Sequence, residues 1–542
     1  MSIELLDCTL RDGAYINGSD FGVPAMKGII RHLQDANAEI IECGWLKDAP
    51  HREGSSYFHV PSDLEAYLLE KKASAVYVAM IDYNRYDDSV LPQYDGKSLD
   101  AVRVVFPHGK HEEGIAVGER IRRKGYKVFF QAANTLAYSD EDLAALAAAM
   151  NRVKPAAVSI VDTFGAMYED DLERIFTVLD CGLDAPVKIG FHAHNNQQLA
   201  FSLSAKFVRL ALEKNRNAIV DATLCGMGRG AGNATTELVA SYLNRRYHKN
   251  YDMNEILDAI DMYMTGFQEK YTWGYSTPYF IAGLYQCHVN NIAYLQKNHR
   301  TNARDMSNII ASLSQAERRQ YDYDLLEKCY MENQNRIVDD GDALKALKDS
   351  FAGRTVLLLA PGKSTITEKD KIFSFIKKEN PVVIAVNAVN REYDCDFLCF
   401  INSVRYQYAE EAYGNDLAGK KKILLSNIKT AGDGDEIIVN FNSVIKRGWE
   451  HFDNAVICCL RLLNKLDVPD VALAGFDGFK TAYNESYADP SLPTLNPEGK
   501  WGELNEEIKD MFRDFVLAAK AKMHIEFVTG SIFAACLECL GA

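Results

Sequence analysis

Eight short runs rich in valine, isoleucine and phenylalanine, spaced through the first half of the chain, constrain its fold more than any other feature. They cover residues 3–8, 38–45, 75–81, 102–106, 128–132, 157–161, 187–192 and 218–224. None alternates polar with apolar positions, so each is expected to be a strand buried on both faces. The segments between them, such as 141–152, carry helical spacing. Buried strands joined by helices make parallel sheets. Eight such units fill a (β/α)8 TIM barrel, which takes about 250 residues, so residues 1–250 are assigned to one α/β barrel domain.

The rest of the chain follows other periods. Strand-like runs vanish from 254 to 339, where 256–263, 279–295 and 306–313 have helical spacing; residues 251–345 are expected to be a helical appendage. Past a polar, glycine-containing stretch at 340–354, strands are expected at 355–360, 381–386, 397–401, 422–425, 436–439, 471–474 and 524–528, with helices such as 442–466 among them. Residues 346–542 are therefore assigned to a Rossmann-like α/β domain with an open sheet. A chain of 542 residues has room for these units, and 47% hydrophobic with 25% charged residues gives it cores to bury.

Charge narrows the partners. The net charge is −15, with lysine and arginine scattered, which leaves no basic stripe for nucleic acid or an anionic membrane. No apolar run reaches the roughly 18 residues of a membrane span, and residues 1–9 lack the zones of a signal peptide, so a cytoplasmic location is expected. The twelve cysteines show no paired metal spacing and are expected to be reduced packing residues.

Three motifs fall where barrel strands end, the rim that carries chemistry in such folds. Residues 7–13, Asp-Cys-Thr-Leu-Arg-Asp-Gly, follow the first strand and set a carboxylate beside a guanidinium. His192 and His194, in Phe-His-Ala-His-Asn-Asn, end the seventh; a spacing of two in extended chain points both imidazoles to one side. Residues 221–234, after the eighth, hold four glycines and Asn233, an amide oxygen donor. The first, seventh and eighth strands are neighbours in a closed barrel. One carboxylate, two imidazoles and an amide oxygen suit Mn²⁺ or Mg²⁺ better than a thiolate zinc site.

Thr9-Leu10-Arg11-Asp12-Gly13, the His-x-His-Asn of 192–195 and the glycine-rich Asn233 loop resemble the metal-dependent aldolase and lyase superfamily. That superfamily includes 4-hydroxy-2-oxovalerate aldolase, hydroxymethylglutaryl-CoA lyase and the isopropylmalate and homocitrate synthases. Asp162-Thr163-Phe164-Gly165-Ala166-Met167 resembles the hydroxy-oxovalerate aldolase branch most. The resemblance covers about residues 3–245. It implies a C–C bond made or broken through a metal-bound, pyruvate-like enolate, with Asp12, His192, His194 and Asn233 as ligands and Arg11 steadying the enolate oxygen. The substrates would be a 2-oxo acid and an aldehyde. Where those aldolases carry a histidine base, this chain has Tyr15, which leaves His51, Tyr15 itself or a metal-bound water to move the proton. Ala14-Tyr15 replaces the Glu-Gln of the synthases, which argues against a Claisen-type synthase using acyl-CoA, the alternative reading. Cys225 precedes the position of the lyase cysteine and is read as packing, and Glu42 is expected to accept a hydrogen bond from Arg11.

In the tail, Gly362, Lys363 and Ser364 follow a strand and precede a helix, a place where phosphate meets backbone N–H groups. It is not a Walker A loop, because Leu357 stands at its first glycine position. With Asn387, Asn402, Ser426-Asn427 and residues 475–478, the succession of strand ends resembles the Rossmann-like domains of sialyltransferase-like proteins and the hydroxymethylpterin pyrophosphokinase-like group. That implies a nucleotide or nucleotide-sugar ligand, and with it a role in surface carbohydrate synthesis. The competing readings are an assembly module without ligand, and a barrel that binds metal without aldolase activity. The helical appendage offers a dimer contact, so a homo-oligomer is expected.

Overall fold

The computed structural model describes residues 2–299, 301–334, 337–430, 434–446, 448–449, 454–480, 486–493, 500–519 and 523–538. By compactness the chain divides into Met1–Ile292 with Gln315–Gln320, and Ala293–Ser314 with Tyr321–Ala542.

In the first unit, β1 (Ile3–Asp7), β2 (Ile40–Leu46), β3 (Val76–Asp82), β4 (Ala101–Phe106), β5 (Lys127–Ala132), β6 (Ala157–Asp162), β7 (Lys188–Ala193) and β8 (Ala218–Ala222) form a parallel sheet. It closes on itself: β1 pairs with β2, Leu6 opposite Ile40, and with β8, Ile3 opposite Ala218. A short strand, Tyr57–Phe58, extends β2. Each expected strand is found within a few residues of its sequence position. The period of two decides what faces inward. Leu6, Ile40, Val78, Ala101, Phe129, Ala157 and Ile219 fill the barrel interior, whereas Leu5, Ile41, Val102, Val158 and Val220 join the larger core under the helices. The next inward positions, Glu42, Arg103, Asp221 and His192, therefore project toward the mouth.

Helices predominate among the described residues of 253–351, but not as continuously as the spacing suggested. The run expected at 279–295 is broken into Thr277–Leu284 and Val289–His299, with Gln286 in the left-handed region at φ 51°. The polar stretch before the tail is itself a helix, Gly341–Phe351, that buries Leu347 and Phe351 in the second unit's core.

In the second unit, β9 (Val356–Leu359), β10 (Val382–Val386), β11 (Phe397–Phe400), β12 (Lys421–Leu425), β13 (Glu436–Val439), β14 (Asp470–Ala474) and β15 (His524–Phe527) form an open sheet, parallel throughout, in the order β13-β12-β11-β10-β9-β14-β15. Val356 and Leu358 feed one core and Leu357 and Leu359 another, so both faces are covered. The chain reverses its direction of travel after β13, returning to lay β14 beside β9. The helix expected at 442–466 runs only over Ala455–Lys465, and part of the remainder lies outside the described residues. Among the described residues no helix is long and apolar enough to cross a membrane, and the cysteines are free thiols.

Candidate metal centre

After β1 the backbone turns at once. Asp7 accepts a hydrogen bond from Thr9 N at 2.9 Å and Asp12 N reaches Cys8 O at 2.8 Å, winding Thr9–Asp12 into a short helix over the barrel mouth. Asp12 is thereby buried completely and Arg11 nearly so. Trp45, half-buried on β2, donates to Arg11 O at 3.1 Å and fixes the turn.

Asp12 meets the two histidines there: one ligand atom from each of Asp12, His192 and His194 lies within 4.8 Å of the others. The orientation of each ring is set behind it. His192 Nδ1 donates to Asp221 at 3.1 Å, and His194 Nδ1 donates to the Asp162 carbonyl at 3.0 Å, which leaves both Nε2 atoms as lone-pair donors. His194 Nε2 is buried without a hydrogen-bond partner, 3.5 Å from Asp12 Oδ2. Asn233 donates its amide to Asp12, and its Oδ1 is likewise buried and unpartnered. Burial alone would normally forbid such orphaned acceptors; a divalent cation satisfies both, and this donor set fits one. Burial lowers the His192 pKa below the ordinary imidazole range, Asp221 pulling against it, so the ring is neutral and ready to ligate. For Asp12, burial pushes upward, but Arg11 and the two histidines hold the carboxyl well below the usual carboxylate range.

Behind these residues runs a buried ionic chain drawn from three strands and the first turn. Arg11 binds Asp12 at 2.5 Å and Glu42 at 2.8 Å; Arg103 binds the same Glu42 oxygen at 2.9 Å and Asp221 at 2.5 Å. Three carboxylates face two guanidiniums, so the chain keeps one net negative charge, in the sense that favours a cation. Glu42 accepts from Arg11 as its sequence position suggested. Arg103 was not singled out from sequence. Its only signal is an arginine in the middle of an otherwise apolar strand, a position that must find buried carboxylates or break the fold.

The loops are tied together above. Asn196 donates to Phe164 O at 2.9 Å and accepts from Ala231 N at 2.8 Å, linking the ends of β6, β7 and β8. Asp162 accepts from the Ala166 and Met167 amides, and burial brings its pKa up to about 6. Gly228 presses on the centre so closely that a Cβ there would stand 2.2 Å from Asn233 Nδ2 and 2.6 Å from Asp12 Oδ2.

Of the two protein groups expected to move protons, neither is placed as a base. Both nitrogens of His51 are engaged, Nδ1 with Tyr57 O at 2.7 Å and Nε2 with the Tyr67 hydroxyl at 2.9 Å, so the ring braces its loop. Tyr15 lies at the rim, half-exposed, against Trp45 and under the Arg229 guanidinium, whose carbon is 5.1 Å from the ring centre. Crowding by protein atoms raises its phenol above the ordinary value, with Arg229 opposing, so it stays protonated at neutral pH. Arg229 also approaches His288 Nε2 at 2.7 Å and has no carboxylate within ion-pair distance among the described residues. Burial takes the Cys225 thiol up to about 12, which makes it a packing residue and not a nucleophile.

In the second unit, Gly362, Lys363 and Ser364 do follow β9, but their amides are largely spent. Gly362 N donates to Gly475 O at 2.9 Å and Ser364 N to Asp477 at 2.7 Å, while the Ser364 hydroxyl also binds Asp477. A carboxylate of the domain already occupies the position a phosphate would take.

Comparison with known proteins finds relatives of the first half of the chain. A family model described as HMGL-like matches residues 107–262. The chain is 30% identical over 269 residues to a 4-hydroxy-2-oxovalerate aldolase of Pelotomaculum thermopropionicum, covering 47% of this chain and 75% of that one. It is 27% identical over 272 residues to the oxaloacetate decarboxylase of Mycobacterium tuberculosis, covering 48% and 76%. Among solved structures, the HMG-CoA lyase of Brucella melitensis aligns over 49% of this chain and 98% of its own, with 16% identity and a TM-score of 0.39.

Proposed function

The chain belongs to the HMGL-like family, and from that premise we propose that its first unit is a carbon–carbon lyase that works on a 2-oxo acid through the enolate, with Asp12, His192, His194 and Asn233 holding Mn²⁺ or Mg²⁺. The observation that carries this reading is the pair of buried, unpartnered acceptors, His194 Nε2 and Asn233 Oδ1, converging with Asp12. The bound cation supplies Lewis-acid polarisation of the 2-oxo group. Arg11 supplies the second positive charge. Its Nε and Nη1 are fixed by Glu42 and Asp12, which leaves Nη2 without an acceptor among the described residues and available to an enolate oxygen. Arg229, which has no carboxylate partner among the described residues, suits an anionic group at the far end of the substrate.

Within this class, Tyr15 favours a second, narrower reading. Aldol cleavage of a 4-hydroxy-2-oxo acid needs a base for the 4-hydroxyl, and a phenol held protonated is a poor one. Decarboxylation of a 3-carboxylated 2-oxo acid needs no base. The bond from C3 to the carboxylate breaks, its electron pair forms the enolate as CO₂ leaves, and the Tyr15 hydroxyl delivers a proton to C3. For the second unit, nucleotide or nucleotide-sugar binding, and with it a place in surface carbohydrate synthesis, rests on its open parallel sheet.

The test is Mn²⁺-dependent deuterium exchange into pyruvate by the intact protein and by His192→Ala. Exchange in the first and its loss in the second are expected; equal rates would overturn the metal assignment. Turnover of oxaloacetate against 4-hydroxy-2-oxovalerate then separates the two reactions.

A further inference from the structure

At the carboxyl edge of the second sheet one guanidinium forms no direct ion pair among the described residues. Arg405 lies in the first turn of helix Ser403–Leu417, which follows β11, and its amide donates to the capping Asn402 side chain at 2.9 Å. The residue is 8% exposed, and Nη1 is buried without a hydrogen-bond partner. Its side chain donates no hydrogen bond and forms no ion pair among the described residues. Instead the guanidinium carbon lies 4.9 Å from the centre of the Tyr487 ring. The segment carrying Tyr487 crosses the end of β9, with Ala488 N donating to Pro361 O at 2.9 Å. Asp489, two residues further, feels the Arg405 charge but makes no ion pair with it within 4 Å: one of its oxygens accepts from the Tyr413 and Tyr408 hydroxyls at 2.6 and 3.1 Å, and the other from Ser491 N at 2.8 Å. Tyr413 and Asp489 also line a hollow of about 200 Å³ beside Pro361, Val389 and Arg391.

A buried guanidinium without a hydrogen-bonded anion is costly, and a stacked ring compensates only part of that cost. Its forked donors match the oxygens of a phosphate. The amino-terminal end of a 15-residue helix adds positive potential at the same place. The location also agrees with the general rule that open parallel sheets bind ligands outside the carboxyl ends of their strands. Resting on the reading of the second unit as a ligand-binding module, we propose that Arg405, and not the loop at 362–364, anchors its ligand through a phosphate group, as in a nucleotide or nucleotide-activated sugar.

The test is calorimetric titration of the full chain with orthophosphate, pyrophosphate, ADP and CMP, repeated with Arg405→Met, Arg405→Lys and Asp12→Asn. Saturable binding of at least one probe is expected in the wild type, weakened about tenfold to hundredfold in R405M, less in R405K, and unchanged in D12N. Should R405M fail to fold, R405K carries the comparison, since it keeps the charge and loses the fork. Equal binding by wild type and both Arg405 variants would overturn the site while leaving nucleotide binding intact. Binding of pyrophosphate through Arg405 with no response to either nucleotide would uphold the site and refute the nucleotide reading. Loss in D12N alone would place the anion in the barrel, and a flat response to all four probes would refute both.

Discussion

Glu42→Gln tests whether the buried ionic chain is what presets the barrel's site. One carboxylate oxygen of Glu42 receives Arg11 at 2.8 Å and Arg103 at 2.9 Å, with both guanidiniums and the acid buried. At an effective dielectric of about 20, each contact is worth about 6 kcal/mol in gross attraction. Most of that offsets desolvation, and losing one partner of a buried network leaves a net cost of about 3–5 kcal/mol. Glutamine keeps the shape and one acceptor but removes the charge, so the expected loss is toward the lower end. Arg11 then loses the partner on its Nε, and a second effect follows: Mn²⁺-dependent deuterium exchange into pyruvate should fall by about 10- to 100-fold, as for other groups that orient ligands. Urea unfolding followed by tryptophan fluorescence measures the first, with Trp45 hydrogen-bonded to the Arg11 carbonyl as a reporter, and proton NMR of pyruvate in D₂O measures the second. A stability loss below about 1 kcal/mol together with unchanged exchange would show that Glu42 does not hold the two arginines in place, and the argument for a preset site would fail.

Gly228→Ala should weaken Mn²⁺ binding by about tenfold or more, because the added methyl overlaps Asn233 and Asp12; a Mn²⁺ titration with unchanged affinity would contradict the placement of that loop. The His192 pKa lies below the ordinary 6.5, so in the metal-free protein its ring, followed by NMR, should take up its proton only below pH 6.5. The sign for the metal-free protein follows, since the unfolded chain takes up this proton near 6.5 and the folded chain resists it; His192 therefore costs stability as pH falls below 6.5. Protonation of the His192 ring at or above pH 6.5 would refute the assignment. Tyr15→Phe should leave CO₂ release from oxaloacetate nearly intact but slow protonation of the enolate product, detected as enolate accumulation in the ultraviolet; equal slowing of both steps would argue against Tyr15 as the acid.

Much of the barrel was legible in the chain because its signals are local. Strand runs are set by composition over five to seven residues, and the spacing of His192 and His194 puts both on one side whatever the rest of the fold does. Asp12 needs only the turn that follows β1. The helical region was harder: its apolar spacing continues through 285–288, where Gln286 turns into the left-handed region and ends a helix that periodicity alone would extend. Side-chain commitments were not legible either. His51 and the amides of Gly362 and Ser364 belong to residue types and positions suited to chemistry, but neighbours distant in sequence, Tyr67, Gly475 and Asp477, had already taken their hydrogen bonds.

What the sequence alone determined is the alternation that sends Glu42, Arg103, His192 and Asp221 to the inside of one barrel, because the side-chain period of a strand is a property of the backbone. What only the tertiary structure decided is which of those charges meet. Arg103 stands 61 residues from Glu42 and 118 from Asp221, and their contacts exist because the sheet closes, bringing strands remote in the chain within hydrogen-bond reach in a space without water to share them.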